Sequence, residues 1–190
     1  MMINLAVQLL ATQLNQYLRR TYNLNEDVVV VSNLLEMDGS MAANISNKLV
    51  VFLVNIEKDN VPFRQVSLHE VGEREVQSSM PLYFNLYLMM TANFTGNNYP
   101  EALKFLSSTI HFFQKNHVVT HQTAPEMDER IEKLILDIEN LSIQDLSNLW
   151  STLGGKYLPS ILYKVRMVAF DAEDITGRVP VVGEPQPMVK

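Results

Sequence analysis

Two short stretches of this chain carry residue types that could do chemistry. The first is Gly154-Gly155-Lys156, inside "NLWSTLGGKYLPSILYKVRMVAFD". A phosphate-binding loop of the Walker type needs G-x-x-x-x-G-K-[ST], because its glycines let backbone N–H groups close around phosphate and its hydroxyl binds the metal. Here Trp150 stands at the first glycine position and Tyr157 follows the lysine. The elements also run helix then strand, the reverse of the order that puts phosphate on a helix N-terminus. The glycine pair is instead read as a helix end, with one of the two in the left-handed conformation and Pro159 preventing resumption.

The second stretch is "HVVTH", residues 117–121. Two histidines at this spacing share a zinc ion on a helix, but Val118, Val119 and Thr120 favour a strand. On a strand His117 and His121 would lie ~13 Å apart, too far for one ion. His69 and His111 are isolated, and neither HExxH nor G-x-S-x-G occurs. Residues 126–145 carry seven acids against Arg130 and Lys133, the pattern of a solvated face or of a dock for a basic partner. No catalytic, cofactor-binding or metal-ligating residue is assigned, and no cofactor is expected.

The elements that must hold these residues follow from periodicity. Ile3, Val7, Leu10, Leu14, Tyr17 and Leu18 recur at helical steps and predict an amphipathic helix ending near Arg20 or Tyr22, placed on its own sheet or on a neighbour. "DVVVV" and "KLVVFLVNIE" read as strands, the second apolar on both faces and so central. "MDGSMAANISN" between them is a loop turning at Asp38-Gly39, and "RQVSLHEVGE" is a weaker, edge-type strand. "LYFNLYLMMTANF" alternates over its whole length, with Leu86, Leu88 and Met90 on one face and Tyr87, Met89 and Thr91 on the other. "GNNYPEALKFLSSTIHFFQKN" predicts a helix capped by Asn98 with a buried stripe of Leu103, Leu106, Ile110 and Phe113. "HVVTHQT" and "EKLILDIEN" follow as strands, the latter with Leu134, Leu136 and Ile138 inward. Ser142 and Asp145 then form a capping box opening a helix with Leu146, Leu149, Trp150 and Leu153 as its stripe. Ile161 to Ala169 alternate on a final strand.

The expected fold class is therefore α/β of the α+β type: a single domain over residues 1–172, with a mixed β-sheet of about six or seven strands flanked by three main helices. Residues 173–190, "EDITGRVPVVGEPQPMVK", form an extended or disordered arm. Composition excludes several function classes. The net charge of -6 has no basic cluster to neutralise phosphates, so nucleic acid is not an expected partner. There is no cysteine, which removes disulfides, thiolate metal sites and cysteine nucleophiles and fits folding in a reducing compartment. The N-terminal twenty residues lack the early positive charge of a signal peptide, and no stretch reaches the ~18 apolar residues of a membrane span.

The blocks "SNKLVVFLVNIEKD", "PLYFNLYLMMTANF", "YPEALKFLSSTIHFFQ" and "IEKLILDIENLSIQDLSNLWSTLGGKYLPSILYKVRM" resemble the tail-terminator, or cap, family of extracellular contractile injection systems. These are phage-tail-like particles such as the antifeeding prophage and the Photorhabdus virulence cassettes. The resemblance covers roughly residues 1–172. It implies a non-enzymatic structural subunit that closes the baseplate-distal end of tube and sheath, with the phage tail-terminator fold and a homo-hexamer ring. Its partners would be tube and sheath subunits and a second cap-like protein. Assembly in the bacterial cytoplasm is implied, in a particle that is released or membrane-anchored. The alternative is a cap adaptor or assembly chaperone that binds tube, sheath or cargo without forming the terminal ring.

Overall fold

The computed structural model describes residues 2–59, 82–154 and 156–169. The strand read at residues 64–73, His69, Gly155 and the arm at 173–190 lie outside them. In chain order the elements are α1 (Met2–Tyr22), β1 (Val29–Val31), β2 (Lys48–Lys58) and β3 (Leu82–Asn93). A 3-10 turn at Gly96–Asn98 leads into α2 (Tyr99–Lys115), then β4 (Val118–Thr120), β5 (Ile131–Ile138), α3 (Ile143–Thr152) and β6 (Ser160–Ala169).

The strands form one sheet in the order β1-β2-β3-β6-β5-β4. β1 runs parallel to β2 and every other pair is antiparallel, so the sheet is mixed and the fold is of the expected α+β type. β3 and β6 are its long central strands. β2, expected at the centre, is second from the edge. It is apolar on both faces because both faces are covered: Leu49 and Val51 belong to the main core, and Val50 to a second cluster with Leu34, Ala42, Ile45 and Trp150.

α1 packs on its own sheet, burying Leu10, Leu14 and Leu18 completely. Asn15 joins this buried face and does what no hydrophobic residue there could. Its Oδ1 accepts from Val28 N at 2.9 Å and Val29 N at 3.1 Å, and its Nδ2 donates to Asp27. The side chain thereby satisfies two backbone donors at the start of the edge strand, where water is excluded.

α2 begins where expected but is rotated. Ala102, Phe105, Leu106, Thr109 and Phe113 are buried, while Leu103 is 44% exposed and Ile110 36%. Two neighbouring apolar stripes satisfy the same helical period, and the aromatic one wins. Phe105 stacks on Phe94 and meets the edge of Tyr22, and Phe113 packs against Tyr163 on β6. Asn98 stands at the N-cap position without a capping hydrogen bond, and its Nδ2 instead reaches Asn47 Oδ1 at 3.3 Å.

The other face of the sheet carries the second, smaller cluster. α3 and the loop of residues 32–47 lie over Val50, and the capping box forms as the sequence predicts, with Ser142 Oγ accepting from Asp145 N at 3.1 Å. On β5, Leu134 and Leu136 are buried, whereas Ile138 is exposed near the strand's end.

Candidate functional site

The residues first considered for chemistry are not brought together. Gly154 has φ +69 and ends α3, its N–H bonded to Ser151 O at 3.2 Å, so it is a helix terminator as expected. Lys156 is exposed beyond it. His117 precedes β4 and His121 follows it in a turn. Among the described residues no group of three or more His, Cys, Asp or Glu is placed to hold a metal ion.

The acidic stretch is divided by the fold. Asp128 pairs with Arg130 through two hydrogen bonds at 2.8 and 2.9 Å, and these hold its carboxyl down at about 2. Glu129, Glu132, Asp137 and Glu139 lie near or along β5.

What the structure does build is a row of cross-strand polar side chains on the sheet face that also carries Val50. Tyr87 on β3 donates its hydroxyl to Glu57 Oε2 on β2 at 2.9 Å, and Lys164 on β6 sits 6.0 Å above its ring. Desolvation, with the Glu57 acceptor second, pushes the phenol up to about 12. Arg166 on β6 reaches across to Asp59. Asn85 on β3 is buried, and its Oδ1 has no hydrogen-bond partner among the described residues. Cross-strand pairs of this kind fix register in this polar platform, since Glu57, Asn85, Tyr87, Lys164 and Arg166 stand on paired strands, with Asp59 just beyond β2.

Next to this platform is an open groove of about 550 Å³, lined by Val31, Leu34, Leu35, Phe52, Leu53 and Leu153 among others. It exists because β1 is only three residues long: the chain leaves the sheet at Ser32, and the loop folds back toward the end of α3. The loop continues to a tip at Met37, fully exposed, with Gly39 at φ +80 and Asp38 Oδ1 accepting from Ser40 N at 2.9 Å. Only the Asp38-Gly39 turn was legible in the sequence. The groove depends on where β1 stops, which "DVVVV" does not show. No helix among the described residues is long and apolar enough to cross a membrane.

Comparison with solved structures places this arrangement among known ones. The sheath/tube terminator of an extracellular contractile injection system, PVC, in its extended state, is similar with a TM-score of 0.56 and 17% identity, over 95% of this chain and 62% of that one. The tube-terminating cap of the anti-feeding prophage, AFP, is similar with a TM-score of 0.54 and 15% identity, over 93% of this chain and 60% of that one. The chain thus spans about three-fifths of the length of these structures. No curated protein sequence matches it significantly. The model of the Pvc16 N-terminal domain matches residues 6–184, and the chain belongs to that family.

Proposed function

We propose that this protein is a structural cap subunit that closes the baseplate-distal end of the tube and sheath of a contractile injection system, as one member of a hexameric ring. The observation that carries the reading is the family match over residues 6–184, nearly the whole chain. The likeness of its fold to a sheath/tube terminator and to a tube-terminating cap supports it. The role is one of contact and not of catalysis: the surface consists of paired cross-strand side chains and an apolar groove, which suit protein partners.

A closed ring repeats one heterologous interface, so each subunit presents two different surfaces. In this reading the opposite sheet edges, β1 with β2 and β4 with β5, would supply two such surfaces. Six subunits of 21.7 kDa make a ring of roughly 130 kDa.

Cryo-electron microscopy of the assembled particle tests the proposal. Sixfold density for this chain at the end furthest from the baseplate is the expected result. Any other symmetry, or absence of the chain from finished particles, would overturn it, the latter in favour of an assembly chaperone.

A further inference from the structure

α3 is held to the fold differently from α1 and α2. Asn15 bonds α1 to the edge strand, and the Tyr22 hydroxyl at the end of α1 is hydrogen-bonded to Ser108 on α2. The side-chain hydrogen bonds of α3 close within the helix and its cap. Gln144 Nε2 donates to Asn148 Oδ1 at 3.1 Å, Ser151 Oγ to Ser147 O at 2.8 Å and Thr152 Oγ1 to Asn148 O at 2.9 Å, beside the box of Ser142 and Asp145. Among the described residues no hydrogen bond or ion pair joins α3 to the sheet or to the loop of residues 32–47.

What holds α3 is apolar contact through a narrow face. Trp150 is its only buried residue, with Leu146 half-buried beside it, in the cluster of Leu34, Ala42, Ile45 and Val50. Ile143, one turn earlier on the helix, is 88% exposed. Even Trp150 is imperfectly accommodated, because its Nε1–H is buried with no hydrogen-bond partner among the described residues. A desolvated donor of this kind offsets part of what burying the ring contributes. The docked position therefore competes with an undocked one in which the indole N–H meets water.

We infer that α3 is a hinged lid over the second apolar cluster, lifting as a unit while the sheet stays folded. The hinge points are marked on both sides. Glu139 N–H bonds to Leu162 O at 2.8 Å, and Pro159 O accepts from Ala92 N–H at 2.9 Å and from Thr91 Oγ1 at 3.2 Å. Between these anchors the capping box and the Gly154 terminator satisfy the helix ends internally, so α3 lifts without giving up its own hydrogen bonds. The main core does not need it, since that cluster contains no residue of α3. Lifting uncovers Ile45, Val50 and Leu34, and Leu34 also lines the groove, so the uncovered face continues into it. The lid thus gives the subunit a further apolar surface that is shown only when α3 is displaced. The inference concerns the fold and does not rest on the cap reading.

Trp150 is the single tryptophan of the chain, so its fluorescence reports on α3 alone. In the full-length protein under native conditions, the amides of Leu149, Trp150 and Leu153 are expected to exchange roughly 100-fold faster than those of Leu88 on β3 and Val165 on β6. In urea, Trp150 emission is expected to reach its solvent-exposed value at a lower concentration than the loss of the far-UV signal. Coincident transitions, or equal exchange rates, would overturn the lid, because α3 would then open only with the whole domain. Leu146→Ala supplies a second check, since it trims the contact with the cluster and leaves the main core alone. Its α3 amides are expected to exchange roughly tenfold faster than in the unchanged protein, with Leu88 and Val165 unaltered. Acceleration of all these amides alike, or of none, would equally sink the idea.

Discussion

Arg166 Nε on β6 lies 2.6 Å from Asp59 Oδ2 just beyond β2, spanning the intervening strand β3, and the Asp59 side chain is only 6% exposed. The pair ties the ends of three strands together beyond the three residues over which β1 pairs with β2. A carboxylate so little exposed depends on its hydrogen-bonded partners, because desolvation is offset only by good geometry. Replacing Arg166 by alanine is expected to lower stability by about 1.5–3 kcal/mol, the range for a hydrogen bond to a charged group. Urea denaturation checks it, and a midpoint equal to that of the unchanged protein would contradict the assignment.

Asn15 is the only polar residue on the buried face of α1, and it serves Val28 and Val29. Asn15→Leu keeps the size and improves the helical preference but leaves two buried N–H groups without their acceptor. The expected cost is about 2–4 kcal/mol. The far-UV spectrum should be retained, and proteolysis should become faster in residues 23–35, where β1 is held.

Gly154 at φ +69 ends α3, and a Cβ there would meet Leu35 Cδ1 at 3.7 Å, an ordinary contact. The cost of Gly154→Val is therefore backbone strain, about 1–2 kcal/mol. Lys156→Ala is expected to leave stability unchanged, and neither protein should show saturable ATP or GTP binding by calorimetry. Nucleotide binding that depends on Lys156 would restore the phosphate-loop reading.

Tyr163 packs its ring against Phe113, and its hydroxyl is buried with no partner among the described residues. Burial pushes the phenol up to about 12. The folded pKa is raised, so the neutral side chain's contribution is fully present below the unfolded pKa near 10 and is lost as pH rises through 12. Tyr163→Phe is expected to hold or raise stability at neutral pH, by about 0–1 kcal/mol. It should also flatten the decline between pH 10 and 12, as read from thermal melts across that range.

The elements were legible where local chemistry decides them. Alternation from Leu82 to Asn93 gave β3, Ser142 with Asp145 gave the start of α3, and the Gly154-Gly155 pair gave its end, because each signal is complete within a few residues. The rotation of α2 was not legible. Leu103 and Ile110 have the same spacing as the buried residues, and only the position of Phe94, Tyr22 and Tyr163 selects the Phe105 and Phe113 side. Asn15 was hidden for a similar reason: a polar residue on an apolar stripe reads as an interruption until Val28 and Val29 are seen to need its oxygen.

The sequence by itself determined the class of the fold, the helix boundaries of α3 and the family resemblance. All of these rest on local periodicity, capping chemistry or blocks of contiguous residues. Only the tertiary structure decided the strand order, the Asp59–Arg166 link and the groove at Leu53. Those depend on which strands pair and where β1 leaves β2, and pairing over such separations is fixed by the packing of the whole sheet.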